Sequence, residues 1–219
     1  LTIANRILGF GQLSLAKYLF LTAEEEDSID IHDEAAFIQH ILELMDLRRD
    51  LHFQTNATID TLDYSGTGLN RGSKVTFAAY GNKKRELCKQ VPNGMRQVNG
   101  IKDASLVMPG VVAVQLENEF TSYEAVEEEM NQFTKRLGEV NMERCPLIVL
   151  CDDSEFLSGA LENFLWATFT RSNPSHDIHG VNASVKHKHW GCDAIIIDAR
   201  LKPHHAPPLV EDEEVESRV

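Results

Sequence analysis

Two short apolar runs constrain this chain more than any other feature. Tyr18-Leu19-Phe20-Leu21 and Leu147-Ile148-Val149-Leu150 are too short for a buried helix and too continuous for a strand with one wet face. They read as strands buried on both faces. An acidic stretch and a segment of helical period follow each. Next comes a strand that opens on an aspartate, Asp50-Leu51-His52 in the first half and Asp177-Ile178-His179 in the second, 127 positions apart. A last strand completes each half, Lys74–Ala79 and Ala194–Asp198. This order predicts an α/β fold of two related α/β sandwich units, built from a degenerate internal repeat.

The helices follow from spacing and caps. Asp33 can cap a helix carrying Ala35, Ile38, Ile41, Leu42 and Met45. Thr121 with Glu124 forms a capping box ahead of Val126, Met130, Phe133, Leu137 and Val140. Ser158 caps a third helix with the stripe Leu161, Phe164, Leu165 and Thr168. A short helix precedes a strand over Lys17–Thr22, and Thr58–Asn70 is a loop with two glycines. Ser105–Met108 and Val111–Leu116 are strands around Pro109-Gly110. Gly81–Asp103, with Pro92, Gly94 and Gly100, reads as a connection. The expected units are 1–85, a connection over 86–104, a divergent second unit over 105–201, and an extended, loosely packed acidic tail over 202–219. The opening segment has neither cap nor lead-in, so it reads as the interior of a longer protein.

A formal net charge of -13 makes phosphate backbones and anionic headgroups poor partners, which argues against nucleic-acid binding. The acidic clusters at 24–27, 117–119, 127–129 and 211–216 read as solvated faces and loops. None of the four cysteines, Cys88, Cys145, Cys151 and Cys192, forms a CxxC pair, so neither a zinc site nor a disulfide framework is indicated. A reducing, cytoplasmic setting fits this usage. No apolar run reaches membrane-spanning length.

Several segments together resemble the C-terminal domain of UbiD-type (3-polyprenyl-4-hydroxybenzoate decarboxylase-like) enzymes. In order they are Ala16-Lys17-Tyr18-Leu19-Phe20-Leu21, Ile29-Asp30-Ile31-His32-Asp33, Met45-Asp46 with Arg49-Asp50, Ile59-Asp60-Thr61-Leu62-Asp63, and Gly68-Leu69 with Gly72-Ser73-Lys74. The second half echoes the pattern in Val149–Asp153, Trp166-Ala167, Thr170-Arg171, Pro174 and Asp177. The resemblance implies non-oxidative decarboxylation of an aromatic or unsaturated acid on prenylated FMN, with a divalent metal, commonly manganese, at the flavin phosphate. It implies a catalytic Glu–Arg–Glu set and metal ligands in upstream domains, and this chain shows no counterpart to either. The chain would then be the C-terminal region of a carboxy-lyase of quinone biosynthesis, inactive and free of cofactor by itself. Its partners would be the upstream flavin-binding domain, the aromatic acid and further copies in a homo-oligomer. The alternative is a non-catalytic α/β binding or assembly module.

On the same resemblance, Lys17 contacts the flavin phosphate, where an ammonium is a suitable point charge. Without it, Lys17 is a lysine at the exposed start of a strand. Ile59, Thr61 and Leu62 match the loop that lines the substrate pocket, and Ile59 reads equally well as a core anchor. His187 and His189, spaced to share one face of a strand, invite a metal reading together with His204 and His205. No ligand set completes it in sequence. Arg171 with Asp177 reads as a structural ion pair, and Arg49 with Asp50 as its counterpart. Gly66-Thr67-Gly68 with Gly72 lacks the strand–turn–helix context of a phosphate loop.

Overall fold

The computed structural model describes residues 1–23 and 29–206. The acidic run at 24–27 and the acidic part of the tail lie outside the described residues. A mixed α/β architecture emerges. The chain opens with α1 (Thr2–Leu8) and a 3-10 turn, then β1 (Tyr18–Thr22), α2 (Glu34–Leu44), β2 (Leu51–Ala57) and β3 (Gly72–Ala79). It continues through β4 (Ile101–Met108), β5 (Val111–Leu116), α3 (Tyr123–Leu137), β6 (Leu147–Cys151), α4 (Ser154–Gly159), α5 (Leu161–Thr170) and α6 (Pro174–Asp177). Then come β7 (Ile178–Val181), the small hairpin β8 (Ser184–Lys186) and β9 (His189–Gly191), and β10 (Ala194–Asp198). No helix among the described residues is long and apolar enough to cross a membrane.

The strands form a three-stranded sheet ordered β1-β3-β2, a five-stranded sheet ordered β4-β5-β6-β10-β7, and the hairpin. Alternation along the five-stranded sheet explains its continuous apolar sequence. Val111, Ala113, Leu147, Val149, Ile195 and Ile197 turn toward one cluster, which they share with α2, α5 and the three-stranded sheet. Val112, Val114, Ile148, Leu150 and Ile196 turn the other way, onto the α3 stripe Val126, Met130, Phe133 and Leu137. One core therefore runs through both sheets.

The anchor strands occupy matching places in the two sheets. β1 runs parallel to β3, and β2 antiparallel to it. In the second sheet β6 runs parallel to β10, and β7 antiparallel to it. The register agrees as well. Tyr18 faces Val75 and Leu51 faces Phe77, while Leu147 faces Ile195 and Ile178 faces Ile197.

Local chemistry sets the helix starts. Asp33 accepts from the Ala36 N–H at 2.9 Å, as its position predicts. Two expected caps move. Ser122, not Thr121, caps α3 by accepting from Ala125 N–H. The Ser158 stretch is two helices: Asp153 caps α4, and α5 starts at Leu161 without a side-chain cap, while the Ser158 hydroxyl donates to Glu155 O inside α4. The connection after β3 is not loose along its length, because Leu87, Cys88 and Met95 are buried. Leu87 fills the space beside Gly110, whose φ is +83° and where a Cβ would meet the leucine at 2.7 Å.

Phe77 is the ring on which the first sheet closes. It is 1% exposed and stacks on Phe20 with centroids 4.6 Å apart. Phe77→Ala should cost about 3–5 kcal/mol, the usual cost of emptying a buried aromatic site. Chemical denaturation would read it as a lower midpoint at unchanged slope.

Candidate functional site

Lys17 precedes β1, and it is not at an exposed strand start: it is 8% exposed. Its ammonium meets Ser65 Oγ at 2.6 Å, Ser172 O at 2.9 Å and Asp63 Oδ2 at 2.8 Å. These three partners take up all three ammonium donors. Burial is the largest influence and holds the Lys17 pKa below the ordinary lysine value, against the opposing pull of Asp63.

The loop that supplies Asp63 and Ser65 is built from its own backbone. Ser65 donates to Asp63 Oδ1 from its N–H at 2.9 Å and its hydroxyl at 2.6 Å. Asn70 Nδ2 donates to Ile59 O at 3.1 Å and Thr61 Oγ1 at 2.9 Å. Ile59 is wholly buried under the loop, and Gly66 and Gly72 leave room for it: a Cβ at either would stand 2.7 Å from its Cδ1. Ile59 is thus the anchor of the loop rather than a pocket wall. Leu62 is 80% exposed and does not line the groove that the neighbouring Thr61 enters. Thr61 does line one, a groove of roughly 530 Å³ shared with Asp63, Tyr64, Leu69, Tyr123 and His204.

The segment 172–177 clasps this region from the other half. Ser172 donates to Thr168 O at 2.6 Å, so the Tyr18 hydroxyl donates to Ser172 Oγ, also at 2.6 Å. Ser73 Oγ donates to Asn173 Oδ1 at 2.5 Å and accepts from Ser175 N–H at 2.8 Å. Ser73, Ser172 and Asn173 are all wholly buried. Sequence reasoning missed Ser172 and Asn173 and named Ser73 only within the Gly72-Ser73-Lys74 motif, because small polar residues carry no periodic signal.

Asp177 does not pair with Arg171. Arg171 reaches Asp152 at 3.3 Å and lies over Trp166 at 4.7 Å. Asp177 instead faces Lys202 Nζ at 3.4 Å, and its Oδ2 accepts from Asn173 N–H at 2.6 Å. Burial outweighs Lys202 and pushes Asp177 up to about 7. Lys202, expected in a loose tail, is 4% exposed and also donates to Asp198 O at 2.9 Å and Arg171 O at 3.0 Å. Burial pushes Asp198 up, but hydrogen bonds and charge from Arg200 prevail and hold it below the usual carboxylate value. The expected Arg49–Asp50 pair forms at 2.6 Å.

The histidine metal reading fails on geometry. His187 and Lys188 have φ of 52° and 66° and form the tip of the β8–β9 hairpin, so His187 shares no strand face with His189. The His189 ring sits 5.2 Å from that of His52. Among the described residues no group of three or more His, Cys, Asp or Glu could hold a metal ion.

A flavin phosphate at Lys17 would have to displace the Asp63 carboxylate or stand beside it. An anion there gains no free ammonium donor and meets a like charge. The residues around Lys17, as arranged, do not fit a flavin phosphate.

Two measurements probe this ionic seam. Lys17→Met strands a carboxylate that is 16% exposed and should cost about 3–5 kcal/mol, with part recovered in Lys17→Met/Asp63→Asn. The second concerns Asp177. Its folded pKa of about 7 exceeds the unfolded value of 3.8, so the native state holds the proton more tightly. Its contribution is therefore greatest below pH 4 and falls as pH rises through 7. Relative to Asp177→Asn, wild-type stability should decline over this window by about 1.4 kcal/mol per unit of pKa shift, as an upper bound, in denaturation series at successive pH values.

Comparison with known proteins finds one family and several relatives similar to this chain. Residues 1–79 match the family described as 3-octaprenyl-4-hydroxybenzoate carboxy-lyase C-terminal domain. An uncharacterized protein of Chlamydia trachomatis is 31% identical over 217 residues, 99% of this chain and 35% of the relative. A Chlamydia pneumoniae protein, named as one of the subunits of 4-hydroxybenzoate decarboxylase, is 30% identical over 222 residues, 100% of this chain and 35% of the relative. The chain thus spans about a third of the length of these relatives. Among solved structures, the vanillic acid decarboxylase of Sedimentibacter hydroxybenzoicus in open form is similar at a TM-score of 0.36 and 13% identity, over 76% of this chain and 43% of that one. The loop, the buried lysine and β1 to β3 all lie within the residues that match that family, so the likeness covers the elements that position Lys17 and its loop.

Proposed function

We propose that this chain is the C-terminal region of a carboxy-lyase that removes carbon dioxide, without oxidation, from an aromatic or unsaturated acid. The observation that carries the reading is the family match over residues 1–79, reinforced by the Chlamydia pneumoniae relative named for 4-hydroxybenzoate decarboxylase. On this reading the acid is a hydroxybenzoate bearing a polyprenyl chain, as the family description suggests, and the reaction serves quinone biosynthesis in the cytoplasm. Within that reading, the 59–72 loop walls the substrate site through Thr61 and Leu69, and the Lys17–Asp63 pair holds the loop's position. Catalytic groups, prenylated FMN and its metal belong to the rest of the longer protein.

The opening segment supports docking against such a remainder. Ala4 and Leu8 face inward, while Ile3, Phe10 and Leu13 are 69%, 66% and 59% exposed. Apolar side chains grouped in this way mark a covered interface. The same face can serve a homo-oligomer. One observation favours the second reading, a non-catalytic assembly module: Lys17 is wholly engaged by its own chain.

The test is to express the complete reading frame that contains this chain and load it with prenylated flavin and manganese. Release of carbon dioxide from 4-hydroxybenzoate or its prenylated form is then measured. Turnover is expected, together with a drop of at least tenfold for Asp63→Ala. A fully loaded, folded protein that releases none from either acid refutes the carboxy-lyase reading in favour of the assembly module.

A further inference from the structure

Cys88 lies on the connection after β3, and Cys145 lies just before β6. The Cys88 N–H donates to Arg144 O at 2.7 Å, and Cys88 O accepts from Gly110 N–H at 3.0 Å. This backbone bracket sets Cys88 against residue 145. The Arg144 guanidinium reaches back to Glu86 O at 3.4 Å and Leu87 O at 3.5 Å, so the connection is also gripped just before the cysteine. Both thiols are free, with Cys88 9% exposed and Cys145 wholly buried.

Both side chains belong to the same buried cluster, the one that packs beneath α3. The hydrogen bond with Cys145 is the largest influence on Cys88 and outweighs burial, lowering its pKa to about 7. Contact with Cys88, then burial, raises the Cys145 thiol well above its ordinary value. Cys88 is thus the member suited to attack. Neither sequence spacing nor motif links the two.

We propose that Cys88 and Cys145 form a reversible dithiol–disulfide couple that staples the 82–94 connection to the start of β6. The oxidant is a peroxide. The Cys88 thiolate attacks one peroxide oxygen, the O–O bond breaks, and the departing hydroxide takes up a proton to leave as water, with Cys88 now a sulfenic acid. The Cys145 sulfur then attacks the Cys88 sulfur. The S–O bond breaks, the S–S bond forms, and the departing hydroxide takes the Cys145 proton and leaves as a second water. Two electrons and two protons pass from the thiols to the peroxide. A small thiol reductant reverses the step by exchange.

The experiment treats the folded chain with hydrogen peroxide and follows intact mass and peptide maps, with and without later reduction. The expected result is a loss of about 2 Da, the two thiol hydrogens, in a peptide linking Cys88 to Cys145. Reduction should restore the mass. Cys151→Ser and Cys192→Ser should keep the link, and Cys88→Ser should abolish it. The wild-type map decides the matter even if Cys88→Ser does not fold. A link through Cys151 or Cys192, stable oxygen adducts on Cys88 without a link, or an unreacted pair in folded protein each overturn the proposal.

Discussion

Burial of the five-stranded sheet on both faces is the constraint from which the rest of the structure follows. A strand such as Leu147–Cys151 has no wet side, so each neighbour must supply an apolar face. The α3 stripe covers one face. The other is covered by α2, α5 and the three-stranded sheet together, which fixes that sheet against the larger one. The starts of β1 and β3 then meet the segment that leaves α5. Polar groups trapped at that meeting need partners within the protein.

The seam of Lys17, Asp63, Ser65, Ser73, Ser172 and Asn173 answers that need. Buried ionic groups of this kind are weak sources of net stability, because desolvation offsets most of the attraction. They are strongly selective for one arrangement, since removing any partner leaves a charge or dipole unpaired. The seam therefore specifies how the loop over 59–72 sits on β1 more than it strengthens the fold. A loop held to that tolerance suits a wall that must keep its shape.

Apolar periodicity made the large elements legible in the sequence. β1, α2, β3, β6 and β10 follow directly from runs and stripes, because burial imposes a period that side-chain chemistry reveals. The capping residues shifted by one position at α3, where Thr121 and Ser122 are equally able to cap. The single helix expected after Ser158 divides at Ala160, whose extended φ of -152° and ψ of 152° no residue type announces. The site was less legible. Lys17 was visible as a residue, but its partners come from 48 and 155 positions away, and such pairings carry no local signature. Ile59 and Leu62 both match the pocket loop while Ile59 also reads as a core anchor, and the loop turns Ile59 inward and Leu62 to solvent.

Asp50 and Asp177 show how one backbone device serves two environments. Each opens the antiparallel strand of its sheet, and each is buried, at 4% and 1% exposure. Each carboxylate accepts from the N–H four residues earlier, Asp46 at 2.8 Å and Asn173 at 2.6 Å. The aspartate closes the turn that feeds the strand, and this requirement is the same in both halves. The counter-charge differs. Arg49 is half exposed and adjacent in sequence, so its pair with Asp50 reaches solvent. Lys202 is buried and arrives from beyond β10, so its pair with Asp177 carries the chain end back across the sheet. Bonds from Lys202 to Arg171 O and Asp198 O then tie α5, α6 and β10 to one ammonium. The turn is fixed by the aspartate, and the reach of the site is fixed by the cation that answers it.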